Sequence, residues 1–404
     1  MRAGRWIKQG SGYRAFIPAP LPPTPPVVVD EEMVRLLSMA DRALGRLDGV
    51  ASVLPNPNLF VAMYVRQEAV LSSQIEGTQS TLEDVIQFEL GADGERLPQD
   101  VEEVVNYVRA MNHGLRRLGS FPLSLRLIRD IHADLMAGVR GSHRAPGEFR
   151  TSQNWIGAAG STLQDASFVP PPVPEMMSAL GNLEDFLHDR DGLPVLLHAA
   201  VAHAQFETIH PFLDGNGRVG RLLITFLLCE REVLQRPLLY LSHYLKAHRA
   251  EYYDRLTAIR SEGNWEGWLK FFLRGVDEVS RSATETARKI LELRENHRLL
   301  VAARFGSTPH APRLLDFLYQ QPIVNVRSAE RHLGCTYATA NKLVEQFTRA
   351  GILHEVTGAR RNRLYRYTDY LSLFHPDAPS GAKPSTETQA ASQQTGAASA
   401  TARA

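Results

Sequence analysis

The chain has 404 residues, 45 Lys and Arg against 44 Asp and Glu, and two cysteines, Cys229 and Cys335. That length exceeds what one hydrophobic core commonly supports, so two or three domains are expected. The balanced charge excludes whole-molecule attraction to nucleic acid or membrane, and the two distant cysteines form neither a disulfide framework nor a metal-spaced cluster. No apolar run reaches the roughly eighteen residues of a membrane span, so the expectation is a soluble protein of the reducing cytoplasm.

Residues 1–29 read as an arm, because the proline-rich stretch 17–29 suits neither helix nor central strand and runs extended. Helical spacing dominates from residue 30 to about 300. In the N-terminal helical region, 30–120, the stretch 58–76 carries Phe60, Met63, Tyr64, Val70, Leu71 and Ile75 on one face and closes at Gly77. Glu76 then faces the negative end of a helix dipole, at a cost of a few tenths to about 1 kcal/mol unless a cation answers it. Ser72 lies one turn back on the same face, within reach of that carboxylate. A core follows over 121–276. It is interrupted at 149–169 by two short strand-like runs around a Gly/Ala/Ser-rich turn ending in Pro170-Pro-Pro172, which read as a β-hairpin.

Residues 196–206 are helical and must stop near His210, since Pro211 cannot continue a helix. After the loop Leu213-Asp-Gly-Asn-Gly217, a second apolar helix starts at Arg218. A loop feeding a helix N-terminus concentrates free N–H groups, and Gly215 and Gly217 remove side chains that would keep an anion away. Arg218 and Arg221, in the first turn, oppose the dipole and call for an anion beside them, and guanidinium forks suit phosphate oxygens. Asp214 offers a hard oxygen to Mg²⁺, and His210, four residues earlier, titrates where a general base should. Gly215-x-Gly217-x-x-Gly220 follows a helix and not a strand, which argues against a dinucleotide fold, and His188, His198, His203 and His210 lack the spacing of a helical zinc pair.

A helical connector, 277–307, leads to residues 308–374, where short helices at 314–319, 328–333 and 337–350 precede a hairpin built from 352–356 and 363–367. That is the order of a winged helix-turn-helix. Residues 323–367 carry Arg327, Arg331, Lys342, Arg349, Arg360, Arg361, Arg363 and Arg366 against three glutamates, so DNA contact through 327–366 is open, as is a homodimer or another protein partner. The tail, 375–404, is Ala, Ser, Thr, Gln and Pro and is expected to be disordered.

Residues 210–221, His-Pro-Phe-Leu-Asp-Gly-Asn-Gly-Arg-Val-Gly-Arg, match every specified position of the Fic motif, and the chain resembles the Fic (Fido) family over roughly 30–300. The resemblance implies a protein adenylyltransferase moving AMP from ATP, with Mg²⁺, to a Tyr, Thr or Ser hydroxyl of a target protein or of itself. It implies His210 as base, Phe212 as loop anchor and Asp214 as Mg²⁺ ligand. Gly215, Asn216 and Gly217 would form the α/β-phosphate cradle, with Arg218 on the β-phosphate and Arg221 on the γ-phosphate. It further implies a flap at 149–169 that holds the target by strand addition, and Tyr253 near the base, core packing being the alternative for the latter. Ser72-x-x-x-Glu76-Gly77 resembles the family's inhibitory motif, with Glu76 pairing Arg221. The expected fold is mainly α, a helical Fic core with a β-hairpin flap plus a C-terminal winged helix. An AMP-removing activity dependent on Glu76 and an ATP-sensing DNA-binding regulator remain the alternatives.

Overall fold

The computed structural model describes residues 2–52, 57–91, 97–139, 144–158, 160–305, 308–358 and 361–374. The proposed tail and Arg360 lie outside them. The described chain is mostly helical with two small antiparallel sheets. A hairpin of β1 (Gly4–Lys8) and β2 (Arg14–Pro18) comes first, followed by α1 (Glu31–Ser52), α2 (Pro57–Ile75), α3 (Leu82–Glu89), α4 (Val101–Leu118) and α5 (Leu125–Leu135). Then come α6 (Val173–His188), α7 (Val195–Ile209), α8 (Asn216–Glu230), α9 (Ser242–Ala247), α10 (Arg249–Glu262) and α11 (Trp265–Phe305). The C-terminal unit holds α12 (His310–Gln320), β3 (Ile323–Val324), α13 (Val326–Leu333), α14 (Tyr337–Arg349), β4 (His354–Glu355), β5 (Tyr365–Arg366) and α15 (Thr368–Ser372), with strand order β3-β5-β4.

The centre is the pair α7 and α8. Every residue of α7 from Leu196 to Ile209 is buried, as is α8 from Arg218 to Leu228. A helix apolar or buried all round has neighbours on every side, and these two are enclosed by α2, α4, α5, α6 and α11. The loop joining them therefore projects from the buried centre of the molecule. Around this pair α1 runs along α11, tied at its start by Lys270 to Asp30 and Glu32 and by Arg274 to Glu32. The boundary expected at 276 falls inside α11, a continuous helix of 41 residues whose buried face passes from the core to the C-terminal unit, and one apolar core runs from Ala3 to Phe374.

Two expectations need correction. The arm is not extended throughout: β1 and β2 pair in register from Gly4 opposite Pro18 to Lys8 opposite Arg14. A two-stranded hairpin is marginal alone. Here Trp6 and Phe16 pack on Phe168, at 6.0 and 6.3 Å between ring centroids, and the Phe16 N–H donates to Val169 O. Beyond it the proline stretch does drape over the body, with Gln205 Nε2 donating to Ala19 O, and Asn182 bonding both the N–H and the carbonyl of Leu21. The second correction is the flap, where the only described bridge joins Ile156 to Phe168. Its first arm is bound to the loop after α7 in place of a strand: Arg150 N–H donates to Pro211 O, and the Arg150 and Asn154 side chains donate to His210 O.

Candidate active site

His210 is the C-cap of α7 and takes a left-handed conformation, φ +49°, with its N–H donating to Phe206 O. Pro211 enforces the exit. Phe212 is fully buried and stacks on His132 at 3.7 Å between centroids, and the Asn216 side chain staples the loop by accepting from Phe212 N–H and donating to Phe212 O, both at 2.8 Å. His132 accepts from Gly147 N–H at Nδ1, so its Nε2 carries the proton and donates to Asp214 O at 3.1 Å. Gly215, at φ +76°, makes the turn into α8 that a side chain would strain. The Asp214 carboxylate accepts from Gly215 N–H and stays partly exposed, 3.7 Å from Arg144 and 3.9 Å from Arg218.

Arg221 points from α8 at the C-terminal end of α2. Its Nη2 donates to Glu76 Oε1 at 2.7 Å and to Ser72 O at 2.9 Å, and its Nε donates to Ser72 Oγ at 2.7 Å. Ser72 thus serves the arginine, not the Glu76 carboxylate as its spacing suggested. Burial opposes ionisation of Glu76, but the guanidinium outweighs it and holds the carboxyl below its usual range. A Cβ at Gly217 would stand 2.2 Å from Glu76 Oε1, so the glycine leaves the space that this carboxylate fills. The carboxylate is an anion already seated beside a helix N-terminus and an arginine, which is the chemistry a phosphate needs there.

Glu76, His210, Asp214, Gly217, Arg221 and Tyr253 line one cavity of about 660 Å³, closed on one side by Trp155, Ile156 and Phe168 of the flap. Gly215, Asn216 and Arg218 do not line it. Asn216 is spent on the loop staple, and Arg218, buried, pairs with Glu103 at 3.2 Å and touches Met136 Sδ at 3.6 Å. Glu103 answers the charge that its place in the first helical turn left open. It lies on α4, and no local pattern could have named it.

Charged and hydroxyl residues on the cavity wall escaped the sequence reading. Arg249, Thr257 and Arg260 share the face of α10 that carries Tyr253, at helical spacing that was legible. Arg249 lies 5.5 Å over the Tyr253 ring and Arg260 4.0 Å over Phe168. Glu207 is also missed. Buried on α7, its Oε1 has no hydrogen-bond partner among the described residues, and burial raises its pKa to about 7, against Arg221 and with Glu76.

Burial holds the imidazoles of His132, His198, His203 and His210 at a pKa of about 4, so all four are neutral at pH 7. His203 donates to Gly220 O and accepts from Tyr252 OH, which makes it a core residue and not a ligand. Each of the four takes up a proton near 6.5 when unfolded, so each costs stability as pH falls from about 6.5 toward 4. Glu68 and Glu207, raised by burial to about 7, contribute in the opposite sense, stabilising as pH falls toward 4.5. Among these six groups the imidazoles outnumber the carboxyls, so together they should lower stability between pH 6.5 and 4.5, their net contribution being roughly 3 kcal/mol per pH unit. Calorimetry showing a constant or rising melting temperature over that interval would contradict this.

Fold and site together define a helical protein in which a loop carrying a histidine and an aspartate joins two buried helices. Residues 34–116 match the Fic/DOC family N-terminal model and residues 122–228 the Fic/DOC family model, so the chain carries both of that family's domains over this stretch. Among curated relatives it is 29% identical over 206 residues to the protein adenylyltransferase Fic of Aedes aegypti, covering 49% of this chain and 37% of that protein. It is 34% identical over 84 residues to a probable protein adenylyltransferase of Aquifex aeolicus, covering 21% of this chain and 26% of that one. The chain thus spans little more than a third of the length of the first of these relatives and about a quarter of the second. A crystal structure of a Fic family protein from Desulfovibrio desulfuricans shares the fold, with a TM-score of 0.53, 18% identity and coverage of 89% of this chain and 99% of that one. Among the described residues no helix is long and apolar enough to cross a membrane.

Proposed function

We propose that this protein is a protein adenylyltransferase held off by its own Glu76. The observation that carries the reading is the 2.7 Å contact between Glu76 and Arg221 beside Gly217, an anion of the chain seated in a cradle suited to phosphate. The residues present fit ATP with Mg²⁺. Asp214 is a partly exposed carboxylate on the cavity wall, although among the described residues no group of three or more His, Cys, Asp or Glu could hold a metal by itself, so the remaining ligands would be phosphate oxygens and water. Bound there, the ion would neutralise phosphate charge. Gly217 and Arg221 would receive the phosphates, and Tyr253 with Arg249 would flank the nucleoside on α10.

The reaction joins a target hydroxyl oxygen to the α-phosphorus of ATP, breaks the bond from that phosphorus to the bridging oxygen and releases pyrophosphate. Neutral His210 takes the hydroxyl proton. Trp155 and Ile156, both exposed on the flap, offer an apolar edge to the target segment. DNA contact through 327–366 draws less support: Thr336, Tyr337 and Thr339 are exposed, but Arg327, Arg349 and Arg366 are answered by Glu330, Glu345 and Glu83. A nucleotide sensor needs no base beside its phosphates, which favours the enzyme over a sensing regulator. Intact-mass spectrometry of Glu76→Gly protein incubated with ATP and Mg²⁺ tests the reading. An AMP adduct supports it, and nucleotide binding without any adduct on the protein or an added protein pool rejects it.

A further inference from the structure

The helix that ends at the brake is gripped at its far end by the C-terminal unit. Phe60 stacks on Tyr319 of α12 at 6.3 Å, Tyr64 meets Phe374 edge-on at 5.6 Å, and Arg66 donates to Gln320 O, all on the N-terminal half of α2. The same unit holds the helix that follows the brake. Arg366 on β5 pairs with Glu83 of α3 at 2.7 Å, and Gln321 Nε2 donates to Ile86 O. Glu76 sits in the short connection between these two helices, where Gln79 N–H and the Ser80 hydroxyl both donate to Asp100 ahead of α4.

An α-helix rises about 1.5 Å per residue, so Tyr64 and Glu76 are about 18 Å apart along a stiff rod. A tilt of a few degrees at the grip moves the far end by about an ångström, enough to spoil a hydrogen bond of 2.7 Å. The Fic core holds the other side of α2 through α4, α8 and α9, so the pose of the brake is the resultant of two sets of contacts. We infer that the C-terminal unit sets the brake, fixing α2 and α3 so that Glu76 reaches Arg221, and that displacing this unit releases the site. The inference rests on the reading of Glu76 as inhibitory, and its test separates the two.

The full chain is compared as wild type, Arg366→Glu, Arg366→Glu with Glu83→Arg, Glu76→Gly, and Arg366→Glu with Glu76→Gly. Arg366 and Glu83 are each partly exposed, so the reversal should leave the fold intact. Two readouts are taken, self-modification with α-labelled ATP and amide exchange over residues 72–80 without nucleotide. Arg366→Glu is expected to raise incorporation about two- to five-fold, the worth of one such pair, and to speed exchange at 72–80. The charge swap should reverse both effects, and in the Glu76→Gly background Arg366→Glu should add nothing. Faster exchange without more incorporation, incorporation that the swap does not reverse, or unchanged exchange each overturns the inference. If Glu76→Gly itself gains no activity, the reading of Glu76 as a brake fails. The exchange arm then still decides whether the unit holds α2.

Discussion

Glycine in place of Glu76 is expected to raise incorporation of label from α-labelled ATP by about 5- to 150-fold, the effect of the roughly 1–3 kcal/mol by which one bound group commonly biases another. The two competitors here are the Glu76 carboxylate and a phosphate of ATP, and both want Arg221. Removing the carboxylate leaves the guanidinium aimed, because Ser72 still accepts from Nε and Nη2. It also leaves a buried cation with less counter-charge, and stripping one partner from a buried pair costs up to about 3–5 kcal/mol. The cost should fall toward the low end, since the Glu76 side chain is about a third exposed. Without nucleotide the variant should therefore melt below wild type, and ATP with Mg²⁺ should raise its melting temperature more than that of wild type. Equal incorporation together with equal nucleotide-induced shifts would remove the brake from the account.

The core of this site was legible because its electrostatics were anomalous. Arginines in a first helical turn and a glutamate past a last one are each misplaced alone, and the structure joins Arg221 to Glu76 across 145 residues. The same argument applied to Arg218 pointed at a ligand, yet the charge is met by Glu103, 115 residues away on another helix. Long-range partners of this kind leave no local periodicity to read. Arg249 and Arg260 did leave one, with Tyr253 between them on one face of α10. The N-terminal hairpin was hidden by the prolines that follow it, although Gly10-Ser-Gly12 between two short alternating runs is a turn signal. The flap departs from a regular hairpin where the Arg150 N–H donates to Pro211 O and the Asn154 side chain to Phe212 O, tertiary bonds that tie this arm to the loop after His210 in place of a partner strand.

Substituting His210 in the Glu76→Gly background should reduce incorporation by about 10²- to 10⁴-fold, the range a general base supplies. Alanine alone is an ambiguous test. His210 sits at φ +49°, where alanine is strained and asparagine is tolerated. His210→Asn is the cleaner variant, keeping the turn while offering no imidazole. If the residue acts as base, both variants lose the reaction and both keep the melting shift induced by ATP and Mg²⁺, since Arg221 and Gly217 are untouched. The pH profile separates a base from a spacer. Burial, then Arg150 nearby, depress the His210 imidazole to about 4, against the pull of the Glu207 carbonyl and Glu76. The neutral, proton-accepting form therefore persists well below the 6.5 of a free histidine, and the rate in the Glu76→Gly protein should show no inflection near 6.5, declining only as pH approaches about 4. A residual rate in His210→Asn within tenfold of its parent, or a full histidine-like inflection near 6.5 in the parent, would mean that the proton leaves by another route.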